Sequence, residues 1–211
     1  IEIKQNKDKK MKNIIKLSAF MLACFLLANC SNTRFLKPGQ NLYTGAEVKI
    51  NPDSSSKIAN EKQVRNTLED KTRPRPNKSI LGLKPKLYIY NLAGEPKKPK
   101  GFRNWLRNKV GEPPVLMSEV KLKYNSDVLK SFLISQGYLQ AEVTGDTVIK
   151  RRRGKAIYTA STGTRYKINE ITFPPDTGDL THIINQNKGK TLLKRGDFYD
   201  LDTYKNERIR I

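Results

Sequence analysis

The stretch that decides the fold class is residues 125–161, NSDVLKSFLISQGYLQAEVTGDTVIKRRRGKAIYTAS, in a chain of 211 residues. Its first half carries one apolar stripe at helical spacing, formed by Val128, Leu129, Phe132 and Leu133. Asn125 or Ser126 can cap the start of this helix, and Gly137 can close it in the left-handed conformation. These features predict a helix that ends at Gly137.

The second half of the stretch alternates apolar and polar residues with the period of a β-strand. The alternating runs are 139–143, 147–150 and 155–161. Between the last two lies Arg151-Arg152-Arg153-Gly154, a polar turn whose glycine suits a tight reversal. A helix followed by a hairpin predicts an α+β fold.

Upstream, residues 42–50 (LYTGAEVKI) predict a first strand, and residues 57–70 predict a surface helix. Residues 71–117 are rich in proline and irregular. Within them, 86–92 fits either a strand or a short helix, and 101–110 has apolar residues at helical spacing. We expect Trp105 to anchor that helix in a core, because its neighbours are apolar.

Downstream, residues 165–173 alternate as a strand, with a change of phase at Asn169-Glu170. Residues 180–185 predict a short helix, and 196–200 lead into a second helix that runs through 211. A strand and two helices alone cover their apolar faces poorly. We therefore expect the native protein to continue beyond residue 211.

The N-terminal region has the pattern of an export signal. Residues 12–16 are basic in part, and 17–28 (LSAFMLACFLLA) form an apolar run shorter than the roughly 20 residues of a membrane-spanning helix. The prediction is upstream, non-native sequence at 1–10, a lipoprotein signal peptide at 11–29 and a linker at 30–41. Leu27-Ala28-Asn29-Cys30 resembles a bacterial lipoprotein lipobox, which predicts lipidation of Cys30; Cys24, or an ordinary cleaved signal, is the alternative. No acid follows directly at 31–35, which favours an anchor on the periplasmic side.

Composition limits the chemistry that the chain can perform. Lys and Arg number 41 against 20 Asp and Glu, a net charge of +21, which indicates an anionic partner or surface. Two Cys and one His do not predict a metal site, and no phosphate-binding glycine loop or activated serine motif is present. His182 fits a surface role, and Asp197, Asp200 and Asp202 fit helix capping better than a calcium loop. The sequence therefore predicts no enzyme, no cofactor and no metal.

The order strand, helix, helix, strand, strand behind an export signal resembles the POTRA modules of the BamA/TamA outer-membrane assembly superfamily. The resemblance rests on Gly111-Glu112-Pro113-Pro114-Val115-Leu116, on the helix that ends in Gln136-Gly137-Tyr138, and on the hairpin that leads through Gly163 into the next strand. With Cys30, it points to the lipoprotein-anchored, TamA-like (TamL) branch and covers roughly residues 34–211. It implies tandem POTRA-like modules (β-α-α-β-β): one at 42–162 with a proline-rich insertion at 71–117, and an incomplete one at 163–211.

The resemblance also implies a function and a location. POTRA modules in this family lie in the periplasm and bind client or partner proteins, often by adding a strand to an exposed sheet edge. It implies outer-membrane clients or a TamB-like partner, an outer-membrane location on the periplasmic face, a lipid anchor and a β-barrel after residue 211. A nucleic-acid partner is excluded by export.

The candidate partner-binding residues are Arg151, Arg152, Arg153, Tyr166 and Ile168. The three arginines are expected at a hairpin tip, where they can contact an acidic partner or lipid head groups, or simply form a solvated turn. Lys97, Lys98 and Lys100 are interpreted as a mobile basic loop. The alternative function is a basic periplasmic lipoprotein that binds an anionic cell-envelope polymer.

Overall fold

The structure, a computed structural model, describes residues 18, 32–52, 58, 60–175 and 177–211. The predicted signal peptide (apart from residue 18) and the predicted lipidation site Cys30 lie outside the described residues. Within these ranges the chain contains three strands and six α-helices, so the predicted α+β class is confirmed.

The elements follow one another in this order: β1 (Leu42–Asn51), α1 (Glu61–Lys71), α2 (Pro85–Ala93), α3 (Phe102–Trp105), α4 (Leu122–Ser135), β2 (Glu142–Lys150), β3 (Arg153–Ser161), α5 (Asp179–Gln186) and α6 (Leu201–Arg210). A π-helical turn, Leu106–Val110, continues α3, and 3₁₀ turns lie at Met117–Glu119 and Lys188–Lys190.

The described chain forms two compact units. One comprises 32–43 and 76–115, and the other comprises 44–75 and 116–211. The larger unit therefore holds most of the sheet, with α1 and α4, whereas most of the proline-rich segment belongs to the smaller one. The module boundaries 42–162 and 163–211 stay a prediction.

The sheet has the strand order β1-β3-β2. Strands β2 and β3 are antiparallel, from Lys150 paired with Arg153 at the tip to Glu142 paired with Ser161. Strand β1 runs parallel to β3: the Thr44 hydroxyl donates to the Gly154 carbonyl (2.9 Å), and the Thr162 amide donates to the Asn51 carbonyl (3.4 Å). Strand β2 is continuous where the sequence predicted two separate runs.

One face of β3 carries two alanines and a tyrosine, and helix α4 packs against this face. Ala156, Tyr158 and Ala160 are fully buried. Gly145 of β2 lies against the Tyr158 ring and the Ser126 hydroxyl, which a Cβ would approach to 3.0 and 3.1 Å. The small residues thus let the helix approach the sheet closely, and the tyrosine fills the space that remains.

Helix α4 begins at Leu122, so the prediction that Asn125 or Ser126 caps it is wrong. Both residues are buried inside the helix. The Asn125 amide donates to the Arg73 carbonyl (2.6 Å) and to the Tyr158 hydroxyl (2.9 Å), and its oxygen accepts from the Arg73 amide (3.0 Å). Asn125 therefore joins α4 to the sheet and to the segment after α1. Gly137 ends the helix with φ +93°, as predicted.

In the smaller unit, Asn77 holds the Gly-Glu-Pro-Pro-Val segment in place. Its amide donates to Glu112 (3.0 Å) and to the Pro113 carbonyl (2.7 Å), and its oxygen accepts from the Val115 amide (3.0 Å). The Val115 carbonyl in turn accepts from the Tyr43 amide (2.8 Å). Residues 86–92, for which strand and helix were both open, form helix α2.

The prediction that Trp105 anchors a core is wrong. Its side chain is 52% exposed, and it stacks on Phe102, which is 73% exposed. The helix predicted at 101–110 does form, as α3 and the π-helical turn, but its aromatic residues face outward. Helical spacing shows which residues share a face, and it does not show whether that face is covered.

The strand predicted at 165–173 is not formed. In the described residues, this segment makes one isolated bridge, between Lys167 and Phe198. Pairing with 196–199 is limited to the Tyr166 and Ile168 backbones. Pro174-Pro175 follow a few residues later and have no amide with which to extend the pairing. The two helices predicted downstream are confirmed, and the Asp200 side chain caps α6 by accepting from the Asp202 and Thr203 amides.

Candidate partner-binding edge

The sheet has two outer strands, β1 and β2, and helix α1 blocks the edge of β1. The Val48 amide donates to Oε1 of Glu69, which lies on α1 (3.1 Å). A carboxylate that occupies an edge amide competes with any incoming strand for that donor. β1 is therefore the protected edge of this sheet.

Strand β2 leaves a row of backbone groups on its outer side. Lys150 and Arg153 flank a two-residue loop, so they are a hydrogen-bonded pair. The backbone N–H and C=O groups of successive residues point to opposite sides of a strand. Those of residues 144, 146 and 148 therefore also point toward β3, and those of residues 143, 145, 147 and 149 point away from it. The Thr147 amide agrees with this assignment, since it donates to the exposed Asp146 carboxylate (2.6 Å). In the described part of the chain, no segment pairs with this side of β2.

The hairpin tip is a tight reversal made by two arginines. Arg151 and Arg152 have φ values of +50° and +61°, as a type I′ turn requires at its two central positions. Asparagine and glycine are the usual residues there, because other side chains are strained by about 1–2 kcal/mol per residue. The arginines therefore occupy positions that favour other residues.

Gly154 does not make the reversal, so that part of the prediction is wrong. It is already paired within β3, opposite Ile149. A Cβ at Gly154 would come within 2.8 Å of Cγ and Sδ of Met117. This glycine makes room for the buried Met117 side chain, which a sequence pattern does not reveal.

Charge changes sign along the β2 edge. Five basic residues surround the tip: Lys150, Arg151, Arg152, Arg153 and Lys155. Toward the other end lie the acids Asp146 and Glu142, and Glu142 pairs with Lys130 (2.7 Å). Val148 and Ile149, next to the tip, are 54% and 53% exposed. An extended segment with acidic and apolar residues would thus find complementary groups at the tip end.

The structure does not bring all five predicted binding residues together. The three arginines lie at the tip, whereas Tyr166 and Ile168 follow the other end of β3, a strand length of about 26 Å away. The Tyr166 amide donates to the Gly137 carbonyl (2.9 Å), and the Ile168 amide donates to the Asp197 carbonyl (2.8 Å). A binding role for all five residues stays a prediction.

Burial shifts the pKa of two tyrosines beneath this sheet. The pKa of Tyr158 is raised by burial, and the hydrogen bond from Asn125 opposes that shift in part. The pKa of Tyr138 is raised by burial as well, against the attraction of the nearby Arg165 guanidinium. Both phenols therefore stay neutral and act as packing and hydrogen-bonding groups. No sequence signal distinguished the buried Asn125–Tyr158 contact from a helix cap.

The described ranges lack two other kinds of feature. They contain no group of three or more His, Cys, Asp or Glu residues that could hold a metal ion. No described helix has the length and apolar character needed to cross a bilayer. His182 contacts Gln186 on the exposed face of α5 (2.8 Å).

No protein-family model matches this chain, and no curated protein matches it either. Among solved structures, the chain is similar to BamA POTRA3-5 from Haemophilus influenzae, with 10% sequence identity and a TM-score of 0.29. The likeness covers 83% of this chain and 87% of that chain. A similarity of this size extends to a POTRA-like fold at most.

Proposed function

We propose that this chain is a periplasmic arm of an outer-membrane assembly factor of the lipoprotein-anchored, TamA-like kind, and that it binds client or partner proteins by strand addition to β2. The observation that supports this proposal most directly is the difference between the two sheet edges. Val48 of β1 is buried, and its amide is bonded to Glu69 of the packed helix α1. On the outward row of β2, the exposed side chain of Asp146 bonds to the amide of the next residue, Thr147, and an incoming strand can displace it.

Strand addition explains how one surface can receive many partners. The incoming segment forms main-chain hydrogen bonds with residues 143, 145, 147 and 149, and main-chain bonds do not depend on its sequence. The tip arginines then favour segments with acidic residues near that end. The proposed partners are outer-membrane clients in extended form, or a TamB-like periplasmic protein.

The location belongs to the same proposal. A signal peptide at 11–29 exports the chain, acyl chains on Cys30 hold it at the periplasmic face of the outer membrane, and a β-barrel follows residue 211. Several acyl chains anchor a protein stably, since each buried methylene contributes about 0.8 kcal/mol.

The test removes one outward amide from the edge. Thr147→Pro deletes an N–H that points away from β3, so the β2–β3 ladder keeps its hydrogen bonds. We expect synthetic peptides of about ten residues with alternating apolar and acidic side chains to bind the parent protein in extended form. Thr147→Pro should weaken binding at least tenfold, as measured by fluorescence anisotropy of the labelled peptides.

Thr147→Val is the matched control, because it removes the hydroxyl and keeps the amide. It should bind the peptides as the parent does. Equal binding by the proline and valine variants, with both folded by circular dichroism, would rule out strand addition at β2.

The five basic residues at the tip favour a second candidate, the binding of an anionic cell-envelope polymer. A polymer bound through charge would be lost on replacement of Arg151, Arg152 and Arg153 by Gln and would be unaffected by Thr147→Pro. The polymer candidate requires a soluble anionic polysaccharide to bind the parent and Thr147→Pro alike. Strand addition requires the peptides to bind the parent and Thr147→Pro to weaken that binding.

A further inference from the structure

The smaller unit presents an aromatic pair to solvent. Phe102 and Trp105 belong to the one-turn helix α3, and their ring centroids lie 5.9 Å apart with an interplanar angle of 27°. They are 73% and 52% exposed. Large apolar rings left in water on a short helix point to a binding surface.

Basic side chains surround this pair in sequence. Lys97, Lys98, Lys100 and Arg103 are all exposed and lie within eight residues of Trp105. Residues 97–105 are called the aromatic–basic loop below. Across residues 76–115, nine Lys or Arg accompany two Glu, a net charge of +7.

A second apolar projection lies in the same unit. The Ile80 and Leu83 backbones bond reciprocally (2.8 and 3.0 Å) across a tight turn. Leu81, at its tip, has φ +50° and is 98% exposed, and Ile80 is 65% exposed. A leucine held in the left-handed region and almost wholly in water packs on nothing in its own unit.

We propose that the aromatic–basic loop binds the surface of an anionic phospholipid bilayer. Tryptophan and phenylalanine insert at the boundary between head groups and acyl chains, and flanking lysines and arginines contact the phosphates. The charge of the segment complements such a surface. A soluble anionic polymer provides no apolar phase for the rings. This inference concerns the smaller unit and is independent of strand addition at β2.

The chain carries its own probe for the test, because Trp105 is its single tryptophan. The whole 211-residue chain is mixed with vesicles of phosphatidylglycerol and phosphatidylethanolamine, and Trp105 emission is recorded. We expect a blue shift, and quenching by lipids brominated in the acyl chain. Vesicles of phosphatidylcholine should give neither effect at the same lipid concentration, since they lack net charge. The readout is local, so attachment through the apolar N-terminal segment alone does not produce it.

Two variants separate charge from insertion. Lys97→Gln/Lys98→Gln/Lys100→Gln should lower the partition coefficient roughly ten- to a hundredfold, because each basic residue near the surface contributes to attraction. Lys188→Gln/Lys190→Gln/Lys194→Gln removes the same charge from exposed positions elsewhere and should change it little. Phe102→Ala should reduce the quenching by brominated lipid, whereas Phe35→Ala, at another exposed phenylalanine, should not.

Three outcomes would overturn the proposal. The first is the absence of a Trp105 shift with anionic vesicles. The second is an equal shift with phosphatidylcholine. The third is an equal loss of partitioning in the two triple variants, which would assign attraction to net charge alone.

Discussion

Individual buried polar residues determine how the segments of this protein are joined. Asn77 and Asn125 each make three hydrogen bonds to chain segments more than thirty positions away in sequence. Glu207 does so over a shorter span: it accepts from the Leu192 amide (2.8 Å) and forms a bidentate pair with Arg210. Each of these residues is at least 95% buried, so removing its side chain would leave buried partners unpaired.

We expect Asn125→Ala to lower the free energy of unfolding by about 2–4 kcal/mol, because it leaves the Arg73 backbone and the Tyr158 hydroxyl without their partner. Urea denaturation of the whole chain measures this. Asn169→Ala, at an exposed asparagine, should change stability by less than about 0.5 kcal/mol. Similar values for both variants would contradict the role given to Asn125.

The second prediction at this scale concerns pH. Hydrogen bonds from Arg210, with smaller contributions from Leu192 and Thr191, hold the pKa of Glu207 at about 2, against an ordinary value of 4.5. In the acid range the unfolded chain therefore binds more protons than the folded one at this site. Its stabilisation is fully present above pH 4.5 and is lost as pH falls toward 2.

Denaturation between pH 2 and 6 should show this loss, on the order of 1–3 kcal/mol, in the parent protein. In Glu207→Gln this part of the pH dependence should be absent. The account of Glu207 fails if the parent and the variant have parallel pH profiles.

At the scale of elements, the hairpin between β2 and β3 is the most informative. Its turn places two arginines in the left-handed region, where asparagine and glycine are strained less. We expect Arg151→Asn/Arg152→Gly to raise the free energy of unfolding by about 1–2 kcal/mol. Thermal and urea unfolding measure this effect.

Arg153→Asn is the control for the hairpin, because Arg153 already lies in β3 and has no positive φ. It should give no gain. Equal stability of the parent and the double variant would show that the arginines are not strained in solution.

Elements with a strong local pattern could be predicted from the sequence, and those that depend on distant partners could not. The stripe at 128–133 and the alternation at 155–161 determine α4 and β3, because both patterns are local. Residues 165–173 also alternate, with a change of phase at Asn169-Glu170, yet they form only a bridge at Lys167 with the backbone of 196–199. Alternation alone does not supply a long neighbouring strand to pair with.

The candidate site was predictable only in part. The tip position of Arg151–Arg153 follows from the turn pattern. The blocked edge of β1 requires Glu69 to meet Val48 from a separate helix, and no local pattern encodes that contact. The exposure of Trp105 could not be predicted, because apolar residues at helical spacing in 101–110 give the same pattern whether their shared face is buried or exposed.

At the scale of the whole molecule, a large positive charge accompanies two separate proposed contacts: strand addition at β2 and a lipid contact at the aromatic–basic loop.

Lipidation of Cys30 leads to a further prediction. In membranes washed with high salt, which screens the attraction of the aromatic–basic loop, Cys30→Ser should be released if no barrel follows residue 211, and should stay bound if one does. Fractionation after expression from the native gene measures this, and loss of acyl labelling in the variant confirms the modified residue. Unchanged acyl labelling would contradict lipidation at Cys30.

The most direct measurement is amide hydrogen exchange along β2, residue by residue, with and without a bound extended peptide. In the free protein, the amides of 144, 146, 148 and 150 should be protected, and those of 143, 145, 147 and 149 should exchange faster. Peptide binding should protect the second set and leave Val48 unchanged. Protection of Val48, or no change at 143–149 under saturating peptide, would contradict the assignment of β2 as the edge that receives partners.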